Sequence, residues 1–578
     1  MGSNIGGKSM ASNSLSRRVR EDLKSELPVT EWLPKYDRSW LRIDIVSGLT
    51  VSAAVIPGGL AYASLAGLPP QTGLYAALMG ALAYVFFASS RQVIVGPTSP
   101  LAILLLTEVG PIATGRGMEY ASLVTITTII VGIICVVAWV FRLGYLVNFI
   151  SGSVLTGFAS GAGLYIISTQ LGKLLGISGS SGTFFQRVWF IATHLTEAQS
   201  TTVAVGLVSI ALLLLGKRFL PRAPTALLVV LLSIVVSSTL DLQARGVTVV
   251  GQIQSGLPPV TVPSVPSVGV IESLVPVAIA LFILSYVQGI GAVQTFARRN
   301  DYRADPDQEL LADGAANVAS GLFGGFVVGG SMSRSALNDS MNGKSQIVSA
   351  VIVGVLVVVL LFLTGLFRTL PDATLGAVVI VAVIGIVDVD GMQRLHTISR
   401  NEFFIAAAAL LGVLALGMLW GVFIGVFLSL TIAISRASNP KKEVLARIPD
   451  TDHFVSREQH PEAVEEPGVL VYRVDAGLFY ANTNSVLDDL LERIEERQSP
   501  VDLIVFDLST SPMVDLASVE MFEDLHRTLE PRGIELRLAG VNEQVLETFE
   551  AASLDETLGE IREEGTVEAI IDDRGASD

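Results

Sequence analysis

The sequence predicts an α-helical membrane protein followed by a separate soluble α/β domain. Three features of the 578 residues carry that prediction. The chain is 51% hydrophobic and only 16% charged, with a mean hydropathy of +0.59; soluble domains hold roughly 25% charged residues. Long apolar runs recur fourteen times before residue 440. The charge is divided: residues 1–440 hold 26 Lys and Arg against 21 Asp and Glu, whereas residues 441–578 hold 12 against 33. Such a composition excludes a soluble enzyme and a disordered chain. A net charge of −16 does not suit a nucleic-acid binder, and no nucleic-acid partner is expected.

A hydrocarbon core of about 30 Å takes roughly 20 apolar residues as a helix. Continuous runs lie at 121–141, 201–216, 223–240, 345–367, 402–419 and 420–435. Runs interrupted by Gly, Pro or Ser lie at 44–67, 71–88, 98–110, 144–170, 272–297, 310–324, 331–342 and 374–388. Those at 98–110 and 331–342 are too short to cross alone. Placing the N-terminus inside assigns Arg91, Arg142, Lys217, Arg218, Arg222, Arg298, Arg299, Arg303, Lys344, Arg394, Arg400 and Arg436 to inner loops. Arg116, Lys173, Arg187, Arg245 and Arg368 then fall outside. This bias follows the positive-inside rule, as do Arg17, Arg18 and Arg20 before the first run. With an even count, both termini are cytoplasmic in a multi-pass cell-membrane protein. The first 40 residues are polar and show no cleavable signal.

Two short runs carry the signal for chemistry. Val95-Gly96-Pro97-Thr98-Ser99 and Val328-Gly329-Gly330-Ser331-Met332 share one pattern, and each precedes the third run in a group of seven. An odd group repeated once enters the membrane from opposite sides, the mark of an inverted repeat. Two helix N-termini then meet near the midplane, where their unpaired N–H groups carry positive partial charge and form an anion site. Thr98, Ser99, Ser331 and Ser333 supply hydroxyls, either as ligands or as ordinary caps, and Met332 lies among them. Arg334 stands at the start of the second short helix. An intramembrane Arg is a functional candidate by default; the alternatives are a pair with Asp339 or a snorkel to the interface. In the first run, Pro57 removes a backbone N–H and Gly58-Gly59 weaken the helix, so a local break is expected, with Tyr62 presenting its hydroxyl to a cavity. Gln288 is the strongly polar residue of the eighth run and does not titrate.

The tail reads as alternating strands and helices. Strands are expected at 468–474, 501–509 and 534–540, and helices at 484–497, at 516–530 and from 542. Such alternation predicts an α/β layer. Cys135 is the single cysteine, the five His residues are scattered, and the Gly-rich 321–330 stretch lacks a phosphate-loop pattern. No metal and no cofactor is expected.

Taken together, the motifs resemble the SulP anion transporters, the sulfate permease family. The resemblance rests on Asp44-Ile45-Val46-Ser47-Gly48-Leu49-Thr50, on Pro57 to Pro70, on Gly73-Leu74-Tyr75, and on Ser331–Ser335 with Ala336, Asn338, Gly343 and Lys344. The segment from about 467 to 571 resembles a STAS domain. This likeness implies fourteen transmembrane spans as 7+7 inverted repeats. Spans 1–4 and 8–11 would form a core domain that moves against a gate domain of spans 5–7 and 12–14. The domain layout is then a cytoplasmic N-terminal segment at 1–40, a transporter domain at 41–437, a linker at 438–466 and a cytoplasmic STAS domain at 467–578. The likeness also implies a substrate anion (sulfate first, bicarbonate or chloride next) between the two short helices, elevator-like alternating access, contact with membrane lipid and a homodimer. It implies no enzymatic activity. Members similar to this chain carry Gln where Gly58 stands, and an acid where Gln288 stands. Coupling to protons through the eighth span is therefore not expected, and Gln288 is a candidate for the space left at Gly58. In related anti-sigma antagonists a loop Ser is phosphorylated; Leu516 holds that position here, beside Ser518. The alternative reading is an anion channel or voltage-dependent sensor on the same scaffold.

Overall fold

The structure is a computed structural model describing residues 27–145, 151–179, 182–219, 224–261, 263, 267–497, 499–559, 561 and 565–575. Arg17, Arg18, Arg20, Arg222 and part of the 144–170 run lie outside the described residues. The chain divides into two compact units, one ending at Ser429 and one beginning at Leu430.

Within the described residues, each apolar run coincides with a helix. These are α1 (Leu41–Leu65), α2 (Pro70–Phe87), α3 (Ser99–Arg116), α4 (Tyr120–Val140), α5 (Gly152–Leu175), α6 (Ser200–Phe219) and α7 (Thr225–Thr239). The second group is α8 (Val268–Arg299), α9 (Pro306–Leu322), α10 (Met332–Ser340), α11 (Ile347–Val358), α12 (Asp372–Ile384), α13 (Arg400–Leu416) and α14 (Met418–Ser438), the last running past the unit boundary. Helix α11 continues through a π turn and a 3-10 turn to Thr369. Among the described residues, eight helical stretches are long and apolar enough to cross a membrane: α1, α4, α5, α6, α8, α14, and α11 and α12 with their extensions. Lys173 and Arg187 lie on helices rather than in loops, Lys173 in the last turn of α5 and Arg187 in the helix Phe184–Thr193.

The expected break at Pro57 does not occur: α1 runs through it from Leu41 to Leu65. Packing explains this. A Cβ at Gly73 would fall 1.9 Å from the Gly59 carbonyl oxygen, so α1 and α2 cross at backbone contact there. Small residues permit that approach, and the neighbouring helix holds a turn that Pro57 would loosen in isolation.

The second unit holds a five-stranded sheet ordered β4-β3-β5-β6-β7, with β3 Lys442–Arg447, β4 Phe454–Ser456, β5 Val469–Val474, β6 Leu503–Asp507 and β7 Glu535–Ala539. Strands β5, β6 and β7 are parallel, whereas β3 is antiparallel to both β4 and β5. The crossovers are α15 (Thr483–Glu496) and α16 (Leu516–Leu529), followed by α17 (Glu543–Ala551). Tyr472, Phe506, Phe522 and Phe549 anchor the core on one face. The 438–466 stretch, expected as a linker, instead supplies β3 and β4. Its strands are short and flanked by charge, so their pairing with β5 is the signal, and that pairing is not local.

Candidate functional site

Two further strands, β1 (Val95–Gly96) and β2 (Gly329–Gly330), lie in the first unit, immediately before α3 and α10. They pair antiparallel, Val95 with Gly330 and Gly96 with Gly329. Each strand leads into its helix, so α3 and α10 leave the pair in opposite directions with both N-termini held at it. Glycine is required here: a Cβ at Gly330 would lie 2.6 Å from the Gly289 Cα. Polar side chains fasten the strands. Ser331 N–H donates to the Ile94 carbonyl at 3.1 Å, and Ile94 N–H to Ser335 Oγ at 3.0 Å. Asn317 brackets Val328, donating to its carbonyl at 3.0 Å and accepting from its N–H at 3.0 Å. Ser285 Oγ donates to the same carbonyl at 2.9 Å.

Ser331 caps α10, accepting from the Arg334 N–H at 3.5 Å, and its hydroxyl lies 3.3 Å from that of Ser333. Thr98 caps α3 in extended conformation with no side-chain cap bond. Arg334 is 7% exposed. Its Nη2 donates to the Pro97 carbonyl at 2.9 Å, while Nε and Nη1 are buried with no partner, as is Thr98 Oγ1. Gly96 makes the seat: a Cβ there would lie 3.0 Å from Nη1. Asp339 pairs instead with Arg299 at 3.0 Å. Buried donors are almost always satisfied, so three orphans beside two helix N-termini describe a site shaped for an anion.

Among the other residues singled out from sequence, Ser99 is buried at the start of α3, and Met332 and Ser333 are exposed on the first turn of α10. Tyr62 is half-buried on α1, one turn after Gly58 and within electrostatic reach of Arg334. Gln288 is half-buried on α8. It does not fill the space at Gly58, where an added Cβ would meet only Tyr62 Cε2, at 3.6 Å. The roles of Ser335, Asn317 and Ser285 were not read from sequence. Asn317, a lone amide in the Ala- and Gly-rich ninth run, was the available signal. A separate cavity of about 520 Å³ holds Lys173, which donates to Ser64 Oγ at 2.7 Å, and Arg187, but none of the candidate site residues.

The sulfate permease family profile matches residues 41–409. The chain belongs to the sulfate permease family. Its members are transporters, not enzymes. A STAS domain profile matches residues 460–568 of this permease, over most of the five-stranded sheet. A Mycobacterium tuberculosis (strain H37Rv) protein described as a probable sulfate transporter is 36% identical over 526 residues, covering 91% of this chain and 94% of its own length. High affinity sulfate transporter 1 of Stylosanthes hamata is 30% identical over 571 residues, covering 94% of this chain and 85% of its own. The murine Solute Carrier 26 family member A9 anion transporter, solved in the inward-facing state, superposes with a TM-score of 0.88 at 23% identity, covering 96% of this permease and 95% of that chain. The transmembrane domain of the cyanobacterial bicarbonate transporter BicA gives 0.59 at 21% identity, covering 68% of this permease and 98% of that chain. These likenesses establish the fold: a helical membrane domain followed by a STAS domain.

Proposed function

We propose that this permease is a secondary active transporter of inorganic anions, sulfate first and bicarbonate or chloride next. The carrying observation is the β1–β2 pair, which holds two helix N-termini beside the unsatisfied Nε and Nη1 of Arg334. The anion sits between the first turns of α3 and α10, with Thr98, Ser99, Ser331 and Ser333 as hydroxyl donors and with Met332, Gly58, Tyr62 and Gln288 lining the approach. An oxyanion suits this set, because N–H and O–H donors converge between the two helix N-termini. The sulfate transporters among the relatives support sulfate as the first choice.

The fourteen helices form two inverted repeats of seven, and each repeat contributes to both moving parts: a core of α1–α4 and α8–α11 that moves in an elevator-like manner against a gate of α5–α7 and α12–α14. Helix packing supports the division: α4 and α2 pack on α9 and α1 packs on α11, whereas α12 and α13 pack on α5 and α12 on α6. The protein is a homodimer in the lipid of the cell membrane, with both termini in the cytoplasm.

Radiolabelled sulfate and bicarbonate uptake into proteoliposomes tests this, with R334A as control. Saturable uptake that R334A loses is expected. Undiminished uptake by R334A refutes the site; large unitary currents without saturation refute the carrier in favour of a channel.

A further inference from the structure

Among the described residues of the first unit, three carboxylate side chains are buried: Asp44, Glu309 and Asp313. Two are fully engaged. Asp44 accepts from the Lys344 N–H at 2.7 Å, Ser345 Oγ at 2.7 Å and Tyr36 at 3.1 Å. Glu309 accepts from the Ser89 N–H at 2.9 Å, Ser89 Oγ at 2.6 Å, the Ser90 N–H at 2.8 Å and the Tyr84 hydroxyl. These two are structural fasteners with no capacity to spare.

Asp313, one turn beyond Glu309 on α9, differs. It is 4% exposed, and its carboxylate takes no hydrogen bond and no ion pair among the described residues. It is directed toward the anion site. Its Oδ2 lies 3.4 Å from the position a Cβ on Gly289 would take, and the Gly330 N lies 3.6 Å from that same point. Gly289 follows Gln288, and Gly330 precedes Ser331, the cap of α10. The titratable groups facing Asp313 are Glu309 on its own helix, Tyr84 on α2, Cys135 on α4 and Tyr286 on α8. None of them is a cation. An unpaired acid inside a membrane domain is a functional candidate by default.

We propose that Asp313 is the proton-binding residue that couples anion movement to the pH gradient in this protein. The inference rests on the anion-carrier reading above. One proton from the solution that the site faces adds to the carboxylate as the anion binds; both leave on the opposite side, and the carboxylate is regenerated. Charge explains the linkage. The ionised side chain sets a bare negative charge next to β2 and opposes an anion at the α10 N-terminus; the protonated one does not. Proton and anion thereby raise each other's affinity, and the effect is reciprocal.

The test uses the intact protein in proteoliposomes and measures sulfate counterflow against pH, accumulation driven by an inward proton gradient, and the accompanying external alkalinisation. Wild type is expected to accumulate sulfate with proton uptake, and Asp313→Asn to lose gradient-driven accumulation and flatten the pH profile of counterflow. If Asp313→Asn does not fold, Asp313→Glu decides: a shifted pH profile supports the assignment and an unchanged one overturns it. Wild-type counterflow without gradient-driven accumulation, accumulation driven by sodium, or an Asp313→Asn profile equal to wild type also overturns it. Absence of any wild-type counterflow refutes instead the anion-carrier reading.

Discussion

Arg334 Nη2 donates to the Pro97 carbonyl at 2.9 Å, tying the first turn of α10 to the backbone that leads into α3. One cation thus belongs to both halves of the ladder. It spends one donor on fixing its own position and leaves two others buried and unfilled.

Replacing Arg334 removes that cation from the site. Hydrogen bonds to a charged group contribute about 1.5–3 kcal/mol each, so R334A is expected to weaken sulfate binding by about 10- to 100-fold. R334K should recover little of this, because Lys lacks the planar fork. Gly96→Ala is expected to act in the same direction while leaving the helices folded, since its Cβ would crowd Nη1 at 3.0 Å. Equilibrium titration of purified protein with sulfate checks all three.

The α1–α2 crossing has no room for a side chain. G73A sets a methyl 1.9 Å from the Gly59 oxygen, and overpacking of this kind costs about 1–3 kcal/mol or more. G110A, on α3, has nothing within 4 Å and is expected to be neutral or to stabilise by up to about 1 kcal/mol. Thermal stability in detergent, read by size-exclusion profiles after heating, separates the two.

Glu309 is expected to be needed for stability rather than for turnover chemistry. In E309Q an amide N–H₂ replaces one acceptor oxygen among four donors, and leaving buried donors unsatisfied costs about 1–3 kcal/mol. A lowered midpoint of heat denaturation, with sulfate affinity retained in the folded fraction, is the expected outcome.

In the STAS domain, Asp515 caps α16. Partial burial opposes its ionisation, but the Tyr480 and Ser518 backbone amides and the Ser518 hydroxyl outweigh that and hold its carboxyl below the usual range. A carboxyl lowered in the folded state stabilises above its unfolded value of about 3.9. That contribution is lost as pH falls through the folded value. D515A is expected to weaken the cap by roughly 0.5–2 kcal/mol at neutral pH and to converge with wild type in acid. Amide hydrogen exchange across residues 515–519 of the intact protein reads both effects.

The ladder was legible because the same V-G pattern stands before two short apolar runs, each third in its group of seven, and two equal signals at equivalent places constrain topology. The length of α3 was not. Its apolar run stops at residue 110, yet the helix continues through Pro111 to Arg116, where Gly117 in the left-handed conformation ends it and Arg116 donates to the Gly269 carbonyl at 2.8 Å, a contact that periodicity does not register. Asp313 was equally silent. In sequence it is one acid close to Glu309, and the difference between them is a count of donors that come from Tyr84, Ser89 and Ser90, more than 200 residues upstream. Tyr62 and Gly58 share a face of α1 as their spacing of four implies, but the space beside Gly58 is left open rather than filled from α8.

The position of β3 and β4 governs how this chain can be divided. The STAS profile begins at 460, whereas β3 pairs along β5 from Lys442 to Leu445. A fragment started at 460 would leave β5, Val469–Val474 with one partly exposed residue, as a naked apolar edge. Such edges template association between copies, so self-assembly of that fragment would reflect the cut and not the native protein. A fragment opened just before Lys442 keeps the edge covered, and the short, three-residue β4 then closes the sheet.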